Sequence, residues 1–265
     1  MSARPERSGG PLLILIDVGN TNTVLGIDRA GALVESLRLS TDSGRTADEH
    51  GALLLPLFER WGIDLGAVEA VVISSVVPPL HSTLELLSRR YFGTAPLFVE
   101  PGIKTGLPIR YDPPSEVGAD RIVNSLAARE RYGAPVVVVD FGTATTFDVV
   151  NAAGEYAGGI IAPGVGISAE ALFSHASRLF RVDLSEPERL IGSNTAAAMQ
   201  SGIYYGYVGL VDGILERLLA ELPDLQSVVA TGGQAELIAG GSRHIREVAP
   251  LLTLHGLQLI HERNR

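Results

Sequence analysis

The sequence predicts an α/β protein made of two tandem halves, each a mixed β-sheet that opens with an antiparallel meander and is flanked by helices. Three observations carry that reading. Short runs of Val, Ile and Leu alternate with longer stretches whose apolar residues recur every three or four positions. The order strand-strand-strand-helix-strand-helix occurs twice along the chain. The turn that ends the first strand, Asp17-Val18-Gly19-Asn20-Thr21-Asn22-Thr23, has a counterpart, Asp140-Phe141-Gly142-Thr143-Ala144-Thr145-Thr146, nearly half the chain later. The two match at Asp, Gly and the final Thr, which argues for an internal duplication.

From Leu12, the segments LLILIDV, TVLGI and ALVESLRL read as a meander, with Asp28-Arg29-Ala30-Gly31 turning between the second and third. Thr46 to Trp61 reads as a helix: Asp48 and Glu49 lie in its first turn, and Leu53, Leu54, Leu57, Phe58 and Trp61 form an apolar face. A strand over 70–75 follows, then a helix opened by Pro78-Pro79 and running to about Tyr91, then a short strand at 97–99. The Pro- and Gly-rich segment Pro101 to Gly118 reads as a loop or linker.

The second half begins with a helix at 119–132. VVVVDFGTATTFDVV then gives a strand, a turn and a strand, and GEYAGGIIAP a third strand. Helices are expected at 166–180 and 194–221, a strand at 227–230, and shorter helices near 233–240 and 254–263. The domains predicted are 11–117 and 118–265.

Composition narrows the function. Lys and Arg number 21 against 30 Asp and Glu, a formal charge of −9, which disfavours nucleic-acid backbones and anionic lipid as partners. Lys104 is the single lysine, so phosphate chemistry must rest on arginine, backbone N–H groups or bound cations. The absence of cysteine removes disulfides, thiolate metal sites and a cysteine nucleophile. The apolar runs fall far short of the roughly 20 residues that span a bilayer. The N-terminal stretch lacks the pattern of a signal peptide, so a cytoplasmic protein is expected.

Each repeated turn ends an apolar strand on an aspartate and passes through a glycine that uncovers backbone N–H groups, a shape able to cradle phosphate. Asn20, Thr21, Thr23, Thr143 and Thr145 add neutral donors. The aspartates would repel phosphate, so their use there is to hold a cation that bridges to it. The structural alternative is a pair of tight hairpins in which Asp and Thr satisfy local backbone groups.

DVGNTNTVLGI, GADRIVN, DFGTATTFD, GGIIAPG and Gly192-Ser193-Asn194-Thr195, in that order, resemble type III pantothenate kinase from Leu12 to about Glu236. The resemblance implies the acetate and sugar kinase/Hsp70/actin superfamily, with two tandem ribonuclease H-like (actin-like ATPase) domains closing over ATP, and a homodimer. It implies transfer of the ATP γ-phosphoryl group to pantothenate, the first step of coenzyme A synthesis. It carries the ATP phosphate loop onto Asp17, Val18, Gly19, Asn20, Thr21, Asn22, Thr23 and Val24, with Gly142 and Thr143 as the second contact. It places a potassium or ammonium ion on Asp140. It places pantothenate on Tyr111, Gly118, Ala119, Asp120, Arg121 and Thr195, with Asp120 as proton acceptor. A divalent ion, Mg2+, is expected with ATP.

The residue chemistry is compatible with these roles. Arg121 offers a planar two-pronged donor for a carboxylate. Asp120 is a weak base, but phosphoryl transfer through a loose transition state needs orientation more than basicity. The structural alternative makes Asp120 the cap of the helix that follows it, with Ile122, Val123, Leu126 and Ala127 as its buried face. Tyr111 reads equally as a loop aromatic, and Thr195 as a helix N-terminal residue. Tyr204, Tyr205 and Tyr207 read as core or subunit interface.

Gly164-Val165-Gly166-Ile167-Ser168-Ala169 fits a dinucleotide-binding pattern, but Pro163 precedes it and the strands around it form a meander rather than a βαβ unit. Ile103 before the lone lysine rules out a P-loop, and the six histidines show no metal-ligand spacing. Two other functions compete: a non-catalytic transcriptional accessory factor of the same family, and another small-molecule kinase of the superfamily.

Overall fold

The computed structural model describes residues 10–176 and 179–265. They fall into two compact units. The first holds the chain up to Lys104 together with Gly118–Val123 and Thr253–Arg265; the second holds Thr105–Val117 and Asn124–Leu252.

The first unit is organised by a five-stranded sheet. β1 (Leu12–Val18) is almost wholly apolar and buried because it is flanked on both sides, antiparallel to β2 (Asn22–Arg29) and parallel to β4 (Val68–Ser75). β3 (Ala32–Ser40) and β5 (Pro96–Phe98) complete the order β3-β2-β1-β4-β5. The turn between β2 and β3 uses positive φ at Ala30 (53°) and Gly31 (86°), the backbone shape that matches strand twist in a two-residue hairpin. The buried Asp28 carboxylate accepts the Gly31 N–H at 3.1 Å and the Gln258 side-chain amide at 2.6 Å.

α1 (Ala47–Trp61) starts at a capping box. The Thr46 hydroxyl accepts the Glu49 N–H at 3.3 Å, while the Glu49 carboxylate accepts the Thr46 N–H at 2.8 Å. Its buried stripe is His50, Gly51, Leu54 and Phe58; Leu53, expected on that face, is exposed. The helix surface turns toward Gly51 because α2 (His81–Tyr91) lays the Tyr91 ring where a Cβ at 51 would stand, 2.5 Å away. The two prolines at 78–79 form a short 3₁₀ turn ahead of α2 rather than its first turn.

In the second unit, β6 (Val136–Phe141) repeats the role of β1: it is buried, antiparallel to β7 (Ala144–Val150) and parallel to β9 (Ser227–Gly232). With β8 (Tyr156–Pro163) and β10 (Glu247–Val248) the order is β10-β9-β6-β7-β8. Strand for strand, this is the topology of the first sheet with every pairing direction kept. The core beneath it gathers Val137, Val139 and Phe141 of β6, Phe147 of β7, and Tyr207, Val211 and Leu215 of α5 (Thr195–Glu221).

α3 (Ala119–Tyr132) spans the expected residues. α4 (Val165–His175) ends sooner than expected, and positions 177 and 178 of its expected C-terminal end lie outside the described residues. α6 (Ala235–Gly241) and α7 (Leu252–Arg263) complete the chain.

The ladders correct one detail of the repeat. Thr23 pairs with Val18, whereas Thr145 pairs with Phe141, so the partner of Thr23 in the second half is Thr145 and not Thr146. The second turn is one residue shorter, which shifts everything after the shared Asp and Gly.

Candidate active site

In the first unit the two-residue turn after β1 closes with Gly19 N–H donating to Asn22 O at 3.0 Å. Asn20 and Thr21 at its tip are exposed; Asp17, Asn22 and Val24 are half-buried; Val18 and Thr23 are buried. The residue after β3, Thr41, ties the turn down at three points. Its N–H donates to Thr21 O at 2.9 Å, its hydroxyl donates to Gly19 O at 2.7 Å, and its oxygen lies 2.9 Å from the Thr23 hydroxyl. Thr41 has one hydroxyl proton, given to Gly19, so Thr23 donates the bond between the two side chains.

The start of α3 comes to the same end of this sheet. Val76, just past β4, donates its N–H to Val18 O at 3.0 Å, and its side chain is 3.7 Å from where a Cβ on Gly118 would stand. That Cβ would also lie 2.6 Å from Asp120 Oδ1, so only glycine lets the carboxylate fold back there. Ala119 is the first residue of α3 and Asp120 the second; Asp120 therefore lies inside the first turn rather than at the cap position. Its Oδ1 accepts the Arg121 N–H at 2.8 Å. Burial pushes the Asp120 carboxyl above the usual carboxylate range, against that hydrogen bond and the adjacent positive charge of the buried Arg121, which both favour ionisation.

In the second unit the turn after β6 closes with Gly142 N–H donating to Ala144 O at 3.0 Å, leaving Gly142 and Thr143 exposed. Gly164, from the pattern that mimics a dinucleotide loop, donates its N–H to Thr143 O at 3.1 Å. A Cβ there would stand 2.2 Å from that oxygen. The glycine is thus explained by packing against the turn. Behind the turn, Thr145 is buried with its hydroxyl 2.8 Å from Tyr207, whose own hydroxyl donates to Pro163 O.

Asp140 is half-buried, and Asn124 Nδ2 donates to its Oδ2 at 3.0 Å. Its Oδ1 is bordered by glycine on two sides: a Cβ on Gly232 would stand 2.5 Å from it and one on Gly142 3.9 Å away. Gly232 has φ of 92°. A carboxylate oxygen is a hard donor of the type that suits hard cations. Among the described residues, no group of three or more His, Cys, Asp or Glu side chains is placed to hold a metal ion.

The other two expected contacts also lie in the second unit. The half-buried Tyr111 packs over Gly158, and its ring centroid is 6.3 Å from that of Tyr156. Thr195 is the exposed first residue of α5, whose N-cap Asn194 accepts the Ala197 N–H at 2.9 Å. It lines a cavity of about 650 Å³ whose walls include Leu172, Leu179, Asn194, Met199 and Ile203. That volume is in the range of small-molecule sites.

Residues 13–217 match the family model of type III pantothenate kinase. The chain belongs to that family. A type III pantothenate kinase of Geobacter sulfurreducens is 58% identical, covering 96% of this chain and all of the relative, and one of Koribacter versatilis is 55% identical, covering 96% of each. Among solved structures, a Campylobacter jejuni protein assigned to the Baf family of transcriptional activators has a TM-score of 0.57 at 21% identity, covering 95% of this chain and 98% of that one. A ROK family glucokinase from Streptomyces griseus, in complex with glucose and AMPPNP, has a TM-score of 0.51 at 15% identity, covering 95% and 98%. These likenesses are of fold: both sheets are those of ribonuclease H-like, actin-like ATPase domains.

Motif reading missed Thr41 and Asn124, which hydrogen-bond to candidate site residues, while Tyr207, read as core or interface, lies in the core and reaches Thr145. Asn124 lies inside the GADRIVN motif, and its interval of four from Asp120 on a helix was the signal available. Thr41 had none, because strand pairing alone brings it opposite Thr21.

Proposed function

We propose that this protein transfers the γ-phosphoryl group of ATP to the hydroxyl of pantothenate, giving 4′-phosphopantothenate. The observation that carries the reading is the Gly118–Arg121 segment. The resemblance assigns this segment to pantothenate, and contacts through Val18, Val76 and Gly118 hold it beside the turn after β1. In this reading Asp17–Val24 and Gly142–Thr143 take the ATP phosphates through backbone N–H groups. Tyr111, Gly118–Arg121 and Thr195 take pantothenate, with Arg121 as the group suited to its carboxylate.

Asp120 orients the acceptor hydroxyl and receives its proton. As the oxygen–phosphorus bond forms, the bond from the γ-phosphorus to the β,γ-bridging oxygen breaks and ADP leaves with that electron pair. Desolvation of the carboxyl strengthens its hold on the proton. Asp140 would hold potassium or ammonium, and that ion, with Mg2+ brought in with ATP, would supply the positive charge that a chain with one lysine lacks. The homodimer of the resemblance and a cytoplasmic location belong to the same proposal; no helix among the described residues is long and apolar enough to cross a membrane.

Release of ADP, coupled to an optical readout and compared across pantothenate, hexoses and short carboxylates, tests the reading. Turnover confined to pantothenate is expected. Turnover on sugars alone would make this a different kinase, and none at all would favour the accessory-factor alternative, toward which no relative cited above at 55–58% identity points.

A further inference from the structure

We propose that Thr41 is a positioning residue for nucleotide: it sets the direction of two amide N–H groups in the turn after β1. The inference deepens the ATP-binding reading above and rests on it. A trans peptide is a rigid plane in which C=O and N–H point opposite ways. Fixing the Gly19 carbonyl therefore fixes the Asn20 N–H, and fixing the Thr21 carbonyl fixes the Asn22 N–H. Thr41 does both, through its hydroxyl at 2.7 Å and its own N–H at 2.9 Å. Both amides are thereby aimed away from Thr41.

The Thr23 side chain completes the device. It is buried and gives its hydroxyl proton to Thr41, forming a relay from Thr23 to Thr41 to the Gly19 carbonyl. Such a relay polarises the terminal donor and makes it a better clamp. The Thr23 hydroxyl thus acts on the nucleotide through the backbone rather than as a direct phosphate donor. The tip of the turn, Asn20 and Thr21, is exposed. The second unit has a comparable brace in a different chemistry, Tyr207 joined to Thr145 and to the Pro163 carbonyl.

The test uses the full chain with Thr41→Val, which keeps shape and loses the hydroxyl, and Thr41→Ser, which keeps the hydroxyl. ADP affinity is measured by calorimetry without pantothenate, and KM for each substrate by ADP release. Thr41→Val should weaken ADP binding and raise the ATP KM by about tenfold, the scale of one hydrogen bond. The pantothenate KM should move less than about twofold, and Thr41→Ser should restore ADP affinity. Unchanged ADP affinity in Thr41→Val, or a serine variant as poor as valine, overturns the proposal. Thr41→Ala serves if the valine variant does not fold, and failure of both to fold overturns it as well. A wild-type protein that binds ADP but ignores pantothenate would sink the substrate assignment while leaving Thr41 testable by calorimetry.

Discussion

Thr23 and Thr145 hold the same place in their two sheets: each pairs with the last residue of its strand, just after the shared aspartate, and each is buried against a hydroxyl from elsewhere in the chain, Thr41 and Tyr207. The duplication thus preserves a hydroxyl brace behind each turn although the bracing residue differs. Tyr207→Phe removes one of these braces. It leaves the buried Thr145 hydroxyl without that partner, a loss of roughly 1–3 kcal/mol for a buried polar group. Urea unfolding should show a lower midpoint; an unchanged midpoint would mean water replaces the tyrosine hydroxyl.

Asp120 is expected to separate activity from stability. Burial raises its pKa in the folded state, so the fold binds that proton more tightly than the unfolded chain does. Stability is therefore lost as pH rises from the ordinary carboxylate value through the raised one. At neutral pH the ionised group is a burden that Asp120→Asn removes. The variant should lose about 100-fold or more in kcat, as for an absent general base, while melting no lower than wild type. A variant that melts lower and keeps its kcat would make Asp120 a structural residue of α3.

The same shift has a kinetic signature. Only the ionised carboxyl can take the hydroxyl proton, so kcat should fall on the acid side at a pH above the usual carboxylate range. That limb should vanish from the residual activity of Asp120→Asn. A pH profile flat down to the ordinary carboxylate range would contradict it.

Gly232 is expected to be intolerant of any side chain. Its φ of 92° disfavours L-residues, and a Cβ would press on Asp140 Oδ1 at 2.5 Å. Gly232→Ala should be destabilised by about 1–3 kcal/mol in unfolding experiments. Because Asp140 must move, the concentration of potassium that half-activates the enzyme should also rise. Wild-type rates that are equal in sodium and potassium buffers would remove the cation from the account.

Much of the architecture was legible because the signals are local. Continuous apolar runs such as Leu12–Ile16 and Val136–Val139 mark central strands, and α3 shows its buried face in sequence. The paired turns stood out because Asp and Gly survive in both. What stayed hidden depends on pairing across the chain. Leu53 has the right spacing for the core face of α1, yet Tyr91 on α2 decides which side is covered. The one-residue difference between the turns is visible only in the ladders, so Thr146 stood in for Thr145. The steric need for glycine at 232 comes from Asp140 and the Phe141 backbone in a parallel strand.

The most direct measurement is ³¹P NMR of a reaction containing the purified chain, ATP, Mg2+, potassium and pantothenate. The account predicts a new phosphate monoester resonance that grows with the ADP signals and is coupled to the methylene protons of pantothenate's primary alcohol. ADP appearing with inorganic phosphate alone, and no ester, would contradict it.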